Sequence, residues 1–168
     1  WDISLYHAEL EDEMLRFRAA GAFTDSTFNS ESTVHQGAEI GVGVRLGENI
    51  LSNGDSLKMW NAYTYSNFYF DNDVNFGDNE IPGQPSHFYN AELRYDHNDS
   101  WFVAMNMLAA SKADTDFNNT NTVPGYAILG AGAGYDVNKN VNLFFEGRNL
   151  LNKKYISNFA ASATTGTS

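Results

Sequence analysis

The chain has 168 residues, a formal net charge of −11, no cysteine, fourteen glycines, three prolines and an aromatic set of nine Tyr, twelve Phe and three Trp. The missing cysteines exclude disulfides, zinc-thiolate sites and a cysteine nucleophile. The acidic balance argues against nucleic-acid binding, which needs clustered Lys and Arg. No stretch approaches the roughly 18 apolar residues of a membrane-crossing helix, while abundant aromatics with few prolines suit a strand-rich protein. Composition leaves a soluble β-sandwich and a transmembrane β-barrel both open.

In chain order, Trp1, Ile3 and Leu5 alternate with Asp2, Ser4 and Tyr6, the period-two signature of a strand. It is expected to stop at the acidic cluster Glu11-Asp12-Glu13 and to turn into a second strand over Met14–Arg18. Residues 19 to 33 read as a long loop. A third strand sets Ala38, Ile40, Val42, Val44 and Leu46 against His35, Gly37, Glu39, Gly41, Gly43 and Arg45. After a polar turn at 47 to 55, the run SLKMWNAYTYSNFYF opposes Trp60, Ala62, Thr64 and Phe68 to Asn61, Tyr63, Tyr65 and Asn67, with aromatics in both sets and the phase undecided.

A second long polar loop, 71 to 80, precedes Ile81-Pro82-Gly83-Gln84-Pro85, where proline belongs at the start of a strand and not within it. Tyr89, Ala91, Leu93 and Tyr95 then face away from Asn90, Glu92 and Arg94. A short turn at 96 to 100 leads to Trp101, Val103, Met105, Met107 and Ala109 against Asn106, and a third long loop spans 112 to 123. From Tyr126 to Val137, Ala127, Leu129, Ala131, Ala133 and Tyr135 alternate with Tyr126, Ile128, Gly130, Gly132, Gly134 and Asp136. A turn at 138 to 140 reverses this strand into Val141, Leu143 and Phe145 against Asn142, Phe144, Glu146 and Arg148, making a hairpin.

The pattern predicts an all-β fold, an antiparallel up-and-down meander of about eight strands with short and long connections alternating. A soluble sandwich has no reason to sort its loops by side, whereas an outer-membrane barrel places short turns at the periplasm and long loops outside. Trp101 and Tyr135 sit beside short turns, where an interfacial aromatic girdle would stand. Glu39, Arg45, Glu92, Arg94, Asn106, Glu146 and Arg148 are then expected to face the lumen. Ala38, Ile40, Val42, Leu93, Tyr95, Val103, Met105, Leu129, Ala131, Leu143 and Phe145 are expected to face outer-membrane lipid.

Several segments also resemble the C-terminal barrel of TonB-dependent outer-membrane receptors of the siderophore type. The matching residues are Ser4-Leu5-Tyr6 with Asp12-Glu13-Met14, Gly37-Ala38-Glu39, and Ile81-Pro82-Gly83 through Pro85 and His87. In the last hairpin they are Pro124-Gly125-Tyr126, Gly134-Tyr135, Asn142-Leu143, Arg148-Asn149-Leu150-Leu151 and Lys153-Lys154-Tyr155. The resemblance covers Leu5 to Tyr155 and implies a segment of a barrel of 22 strands with a plugged lumen. It implies residence in the outer membrane of a Gram-negative bacterium, import of a scarce ligand such as a ferric siderophore, and coupling to TonB through a plug domain N-terminal to the barrel. Residues 1–168 are accordingly expected to be one partial barrel domain without its plug or terminal strand, since no signal peptide opens the sequence and AASATTGTS has loop composition.

Chemistry beyond this is sparse. No nucleotide loop, nucleophile elbow or paired-histidine motif occurs, and His7, His35, His87 and His97 are scattered singly. Asp71-Asn72-Asp73 opens like a calcium loop, but Phe76 stands where such a loop needs glycine. No enzyme, metal or cofactor is expected. The three long loops each carry an aromatic, Phe23 and Phe28, Phe76, and Phe117, beside Asp25, Asp73, Asp78 and Asp116. An aromatic on a solvated loop either packs locally or waits for a partner, so these four phenylalanines are the candidate ligand contacts. Two other readings remain: a complete small barrel or adhesin, whose first and last strands would pair, and a soluble binding module, whose apolar strand faces would meet in a core.

Overall fold

The computed structural model describes residues 1–19, 22–98 and 100–163. Ala20 and Gly21 of the first expected loop, Asp99 of the 96 to 100 turn and residues 164–168 of the C-terminal stretch lie outside the described residues. The strands are β1 (Asp2–Glu11), β2 (Met14–Ala19), β3 (Ser26–Asn29), β4 (Ser32–Glu48), β5 (Ser56–Phe70), β6 (His87–His97), β7 (Trp101–Ala110), β8 (Ala113–Asp114), β9 (Thr122–Val123), β10 (Tyr126–Asn138), β11 (Val141–Gly147) and β12 (Ser162–Ala163). Seven of them form one antiparallel sheet in the order β1-β4-β5-β6-β7-β10-β11.

The expected meander holds, with one correction at its start. The Met14–Arg18 strand does not pair with the first. Instead β1 pairs directly with β4, from Asp2↔Gly41 to Glu11↔Ser32, and β2 turns back on β3 as a separate hairpin. At six residues, β2 falls short of the roughly 9–11 that a tilted strand needs to cross a bilayer. The acidic cluster is therefore no short turn; residues 12 to 31 form a long connection holding the hairpin. With this change every connection on one side is long (12 to 31, 71 to 86, 111 to 125). Those on the other side are short (49 to 55, 98 to 100, 139 to 140).

The register also decides the phase of β5. Trp60 pairs with Gly43 and Glu92, and Lys58 with Arg45 and Arg94, so even-numbered β5 residues join the polar face. Leu57, Met59, Tyr63 and Tyr65 join the apolar one. All eleven residues expected to face lipid share that apolar face by register. Nothing covers it among the described residues: Phe145 is 78% exposed and Met105 60%. A water-soluble sandwich would bury these side chains against a second sheet, because a contiguous apolar surface of this extent is unfavourable in water. Nor do β1 and β11 pair, as a closed small barrel would require.

Aromatics border the apolar band at both ends. Tyr95, His97 and Trp101 stack at the short-turn end, with Tyr95 and Trp101 centroids 5.4 Å apart and His97 and Trp101 4.8 Å apart. Tyr63, Tyr65 and His87 gather at the other. The ten residue steps from Asp55, just before β5, to Tyr65 extend roughly 33 Å and, tilted about 40°, span roughly 25 Å, the height of an outer-membrane apolar band. Buried residues concentrate instead at the long-loop end, at Ser30, Thr33, Val34, Phe70, Asp73, Asp116 and Phe117.

Candidate functional site: the polar strand face and the long loops

On the polar face, cross-strand pairing places Arg45, Lys58 and Arg94 directly beside one another. Like charges opposed in this way are unfavourable unless countered. Asp96 answers two of them, accepting Lys58 Nζ at 3.0 Å and Arg94 Nε at 2.8 Å. Arg45 pairs with Glu48, and the Arg94 guanidinium lies 3.6 Å from the centroid of the Phe102 ring. Phe102 in turn covers Gly134, its cross-strand partner, where a Cβ would collide with the ring. Gly130 likewise leaves the space that the Asn106 side chain occupies.

Glu92 pairs in register with Asn106, and Glu146 accepts from Arg148 Nε at 2.7 Å. Glu39, Arg45, Glu92, Arg94, Asn106 and Glu146 all lie on this one face, and Arg148 joins it just beyond β11. Lys58 and Asp96 belong to the same set but were not legible in the sequence. The first lay in a strand of undecided phase and the second read as part of a turn.

The long loops are tied into one unit. Phe28 lies 5.6 Å from Phe76 and 5.2 Å from Phe117, and Phe76 lies 5.4 Å from Phe117 (ring centroids). Phe17 joins through Phe28, and Phe70 at the end of β5 lies 4.8 Å from Phe76. Of the two readings open for an aromatic on these loops, local packing describes Phe28, Phe76 and Phe117, and it joins one loop to the next. One face of the β2–β3 hairpin lays Phe17 and Phe28 over Phe76 and Phe117, and Phe117 is left 3% exposed. Only Phe23 stands free in solvent.

Hydrogen bonds reinforce this apolar knot. Glu80 N donates to Asn119 Oδ1 at 2.7 Å while Asn119 Nδ2 donates to the Glu80 carbonyl at 2.9 Å, and Asn79 Nδ2 reaches the Phe117 carbonyl at 2.9 Å. The first loop is held to the second where Glu31 N donates to Asp73 Oδ2 at 3.4 Å. The chain after β11 returns across the first and third loops: Arg18 N donates to the Ala161 carbonyl and Ser162 N to the Thr115 carbonyl, each at 2.8 Å.

The loop aspartates serve the backbone. Asp73 Oδ1 accepts from Asn75 N and Phe76 N, which spends on a turn the oxygens a calcium ion would need. Asp78 accepts from Asn72 N at 3.0 Å. Asp116 accepts from the backbone and side chains of Thr120 and Asn121. Burial raises the Asp116 carboxyl's proton affinity, but these donors outweigh it and hold the group below the usual carboxylate range. Asp25 alone among the four aspartates faces cations, Arg18 at 2.7 Å and Arg16 at 3.5 Å.

A single-layer sheet with one lipid-compatible face, one polar face, two aromatic borders and loops sorted by side is the wall of a transmembrane β-barrel. Residues 1–150 match the family described as TonB dependent receptor-like, beta-barrel, and the chain belongs to that family. Its members are transport receptors of the Gram-negative outer membrane and not enzymes, and the family implies TonB and a small ligand as partners.

Proposed function

We propose that residues 1–168 form part of a 22-stranded receptor barrel that binds a ferric siderophore outside the cell and imports it with energy delivered through TonB. In this reading the polar face lines the lumen around a plug domain encoded outside this sequence, and a further strand pairs with β11 to complete the barrel. The observation that supports it most is the knot of long loops at one end of the sheet, Phe17, Phe28, Phe70, Phe76 and Phe117 with their reciprocal hydrogen bonds. Loops fastened to one another form a shaped vestibule, and shape fixed before binding reduces the entropy lost on capture. Phe23 supplies an aromatic surface at its rim, while Phe28, Phe76 and Phe117 set the loop geometry.

The test is uptake of radiolabelled ferric siderophores by cells carrying the full-length receptor, in strains with and without TonB. Uptake that needs both supports the reading; iron import indifferent to the receptor's deletion overturns it. Replacing Phe28, Phe76 and Phe117 together by Ala is expected to weaken ligand affinity with surface expression retained. Unchanged affinity and transport would remove these loops from the site.

A further inference from the structure

A cleft of about 540 Å³ opens beside the loop knot, between the β2–β3 hairpin, the turn at Pro82–Gly83 and the returning chain at 158 to 161. Resting on the receptor reading, we propose that this cleft is an oxyanion subsite that takes the carboxylate of a small planar ligand between Arg16 and Arg18. The strand phase sets up the site. Leu15 and Phe17 turn toward the phenylalanine knot, so Arg16 and Arg18, two residues apart, project together from the opposite face of β2. Among the described residues no other loop segment sets two arginines on one strand face, and they stand in a chain whose net charge is −11.

The cleft already holds one carboxylate. Asp25 Oδ1 accepts from Arg18 Nε at 2.8 Å, and its other oxygen lies 3.5 Å from Arg16 Nη1. One carboxylate between two guanidiniums leaves an excess positive charge and most of their ten N–H donors free of Asp25. The side chain of Arg16 is 75% exposed, so its fork is open to an incoming group. Planar guanidinium forks match carboxylate geometry, and Phe159 and Pro82 line the cleft with apolar surface for the body of a ligand. Asp25 acts as the resident competitor that an incoming carboxylate displaces from Arg16.

The experiment uses the full-length receptor in detergent micelles, titrated with salicylate and with its uncharged counterpart salicylamide while ligand NMR signals report binding. Salicylate should bind at least ten-fold more tightly than salicylamide. The Arg16→Ala/Arg18→Ala double variant should lose that preference, Arg16→Lys/Arg18→Lys should keep only part of it, and Asp25→Asn should tighten salicylate binding several-fold. An equal affinity for the two probes in the unaltered receptor, or an unchanged preference in the double Ala variant, overturns the proposal. A receptor that shows the arginine-dependent preference yet imports no iron chelate would leave this subsite standing and overturn the transport reading alone.

Discussion

At the scale of single residues, the clearest electrostatic device is Asp55 in the turn between β4 and β5. The residue is 1% exposed, and its carboxylate accepts backbone N–H groups from Ile50 at 2.6 Å, Leu51 at 2.7 Å and Ser52 at 2.8 Å, with the Tyr95 hydroxyl at 2.7 Å. Burial pushes its proton affinity up, but the Tyr95 and backbone donors prevail and bring the carboxyl down to about 2. In the unfolded chain it would titrate near about 3.9. Between those values the unfolded state binds more protons, so stability rises with pH there; the contribution is complete above about pH 4 and is lost as pH falls toward 2. Thermal unfolding of the receptor in micelles should therefore fall off through this window, and Asp55→Asn should flatten part of the fall. An identical pH slope in the variant would show that the turn is not held this way. A second residue-level test concerns the faces: Val42→Arg or Met105→Arg should cost roughly 2–4 kcal/mol if the site lies at the bilayer midplane. Asn106→Arg, on the polar face of β7, should cost far less. Urea-dependent folding of the receptor into lipid vesicles measures all three.

At the scale of elements, the strands were legible because each faces two different solvents. Period-two alternation in β4, β6, β7, β10 and β11 survives any tertiary context that keeps one face apolar and the other wet, and the structure reproduces all five phases. Strand β2 has the same local alternation and a different fate. Its partner choice depends on length and on Phe17 meeting Phe28, then on Phe28 meeting residues nearly fifty and ninety positions away. A single sequence carries no signal for such contacts, which is also why Phe28, Phe76 and Phe117 read as three isolated aromatics. The knot yields its own prediction. Phe117→Ala removes a ring that touches Phe28, Phe70 and Phe76, and a buried Phe→Ala change typically costs about 3–5 kcal/mol. Because the knot sits above the sheet, that loss should appear as local opening. Amide exchange in 12 to 31, 71 to 86 and 111 to 125 should accelerate while β5, β6 and β7 stay protected. Equal acceleration in strands and loops would mean that the knot is part of the sheet's own stability.

At the scale of the whole molecule, the sheet has two edges, β1 and β11, each hydrogen-bonded on one side only. On these strands Leu5 is 77% exposed and Phe145 78%, so each edge joins unpaired backbone groups to an apolar face. In hydrocarbon every backbone N–H and C=O must find a partner within the protein, which is why only closed barrels cross membranes as strands. In water the same edge is a template for pairing with another copy. Both environments therefore require flanking strands on β1 and β11, and the seven-stranded sheet is expected to be stable only as part of a closed wall. Expressed alone as residues 1–168 and refolded in buffer without detergent, the chain should associate through these edges into strand-rich aggregates. Light scattering coupled to size exclusion makes the distinction directly. A monodisperse monomer in plain buffer, with strand content intact, would mean that the edges and the apolar face are covered in a way this sheet does not show, and the open-wall description would have to be given up.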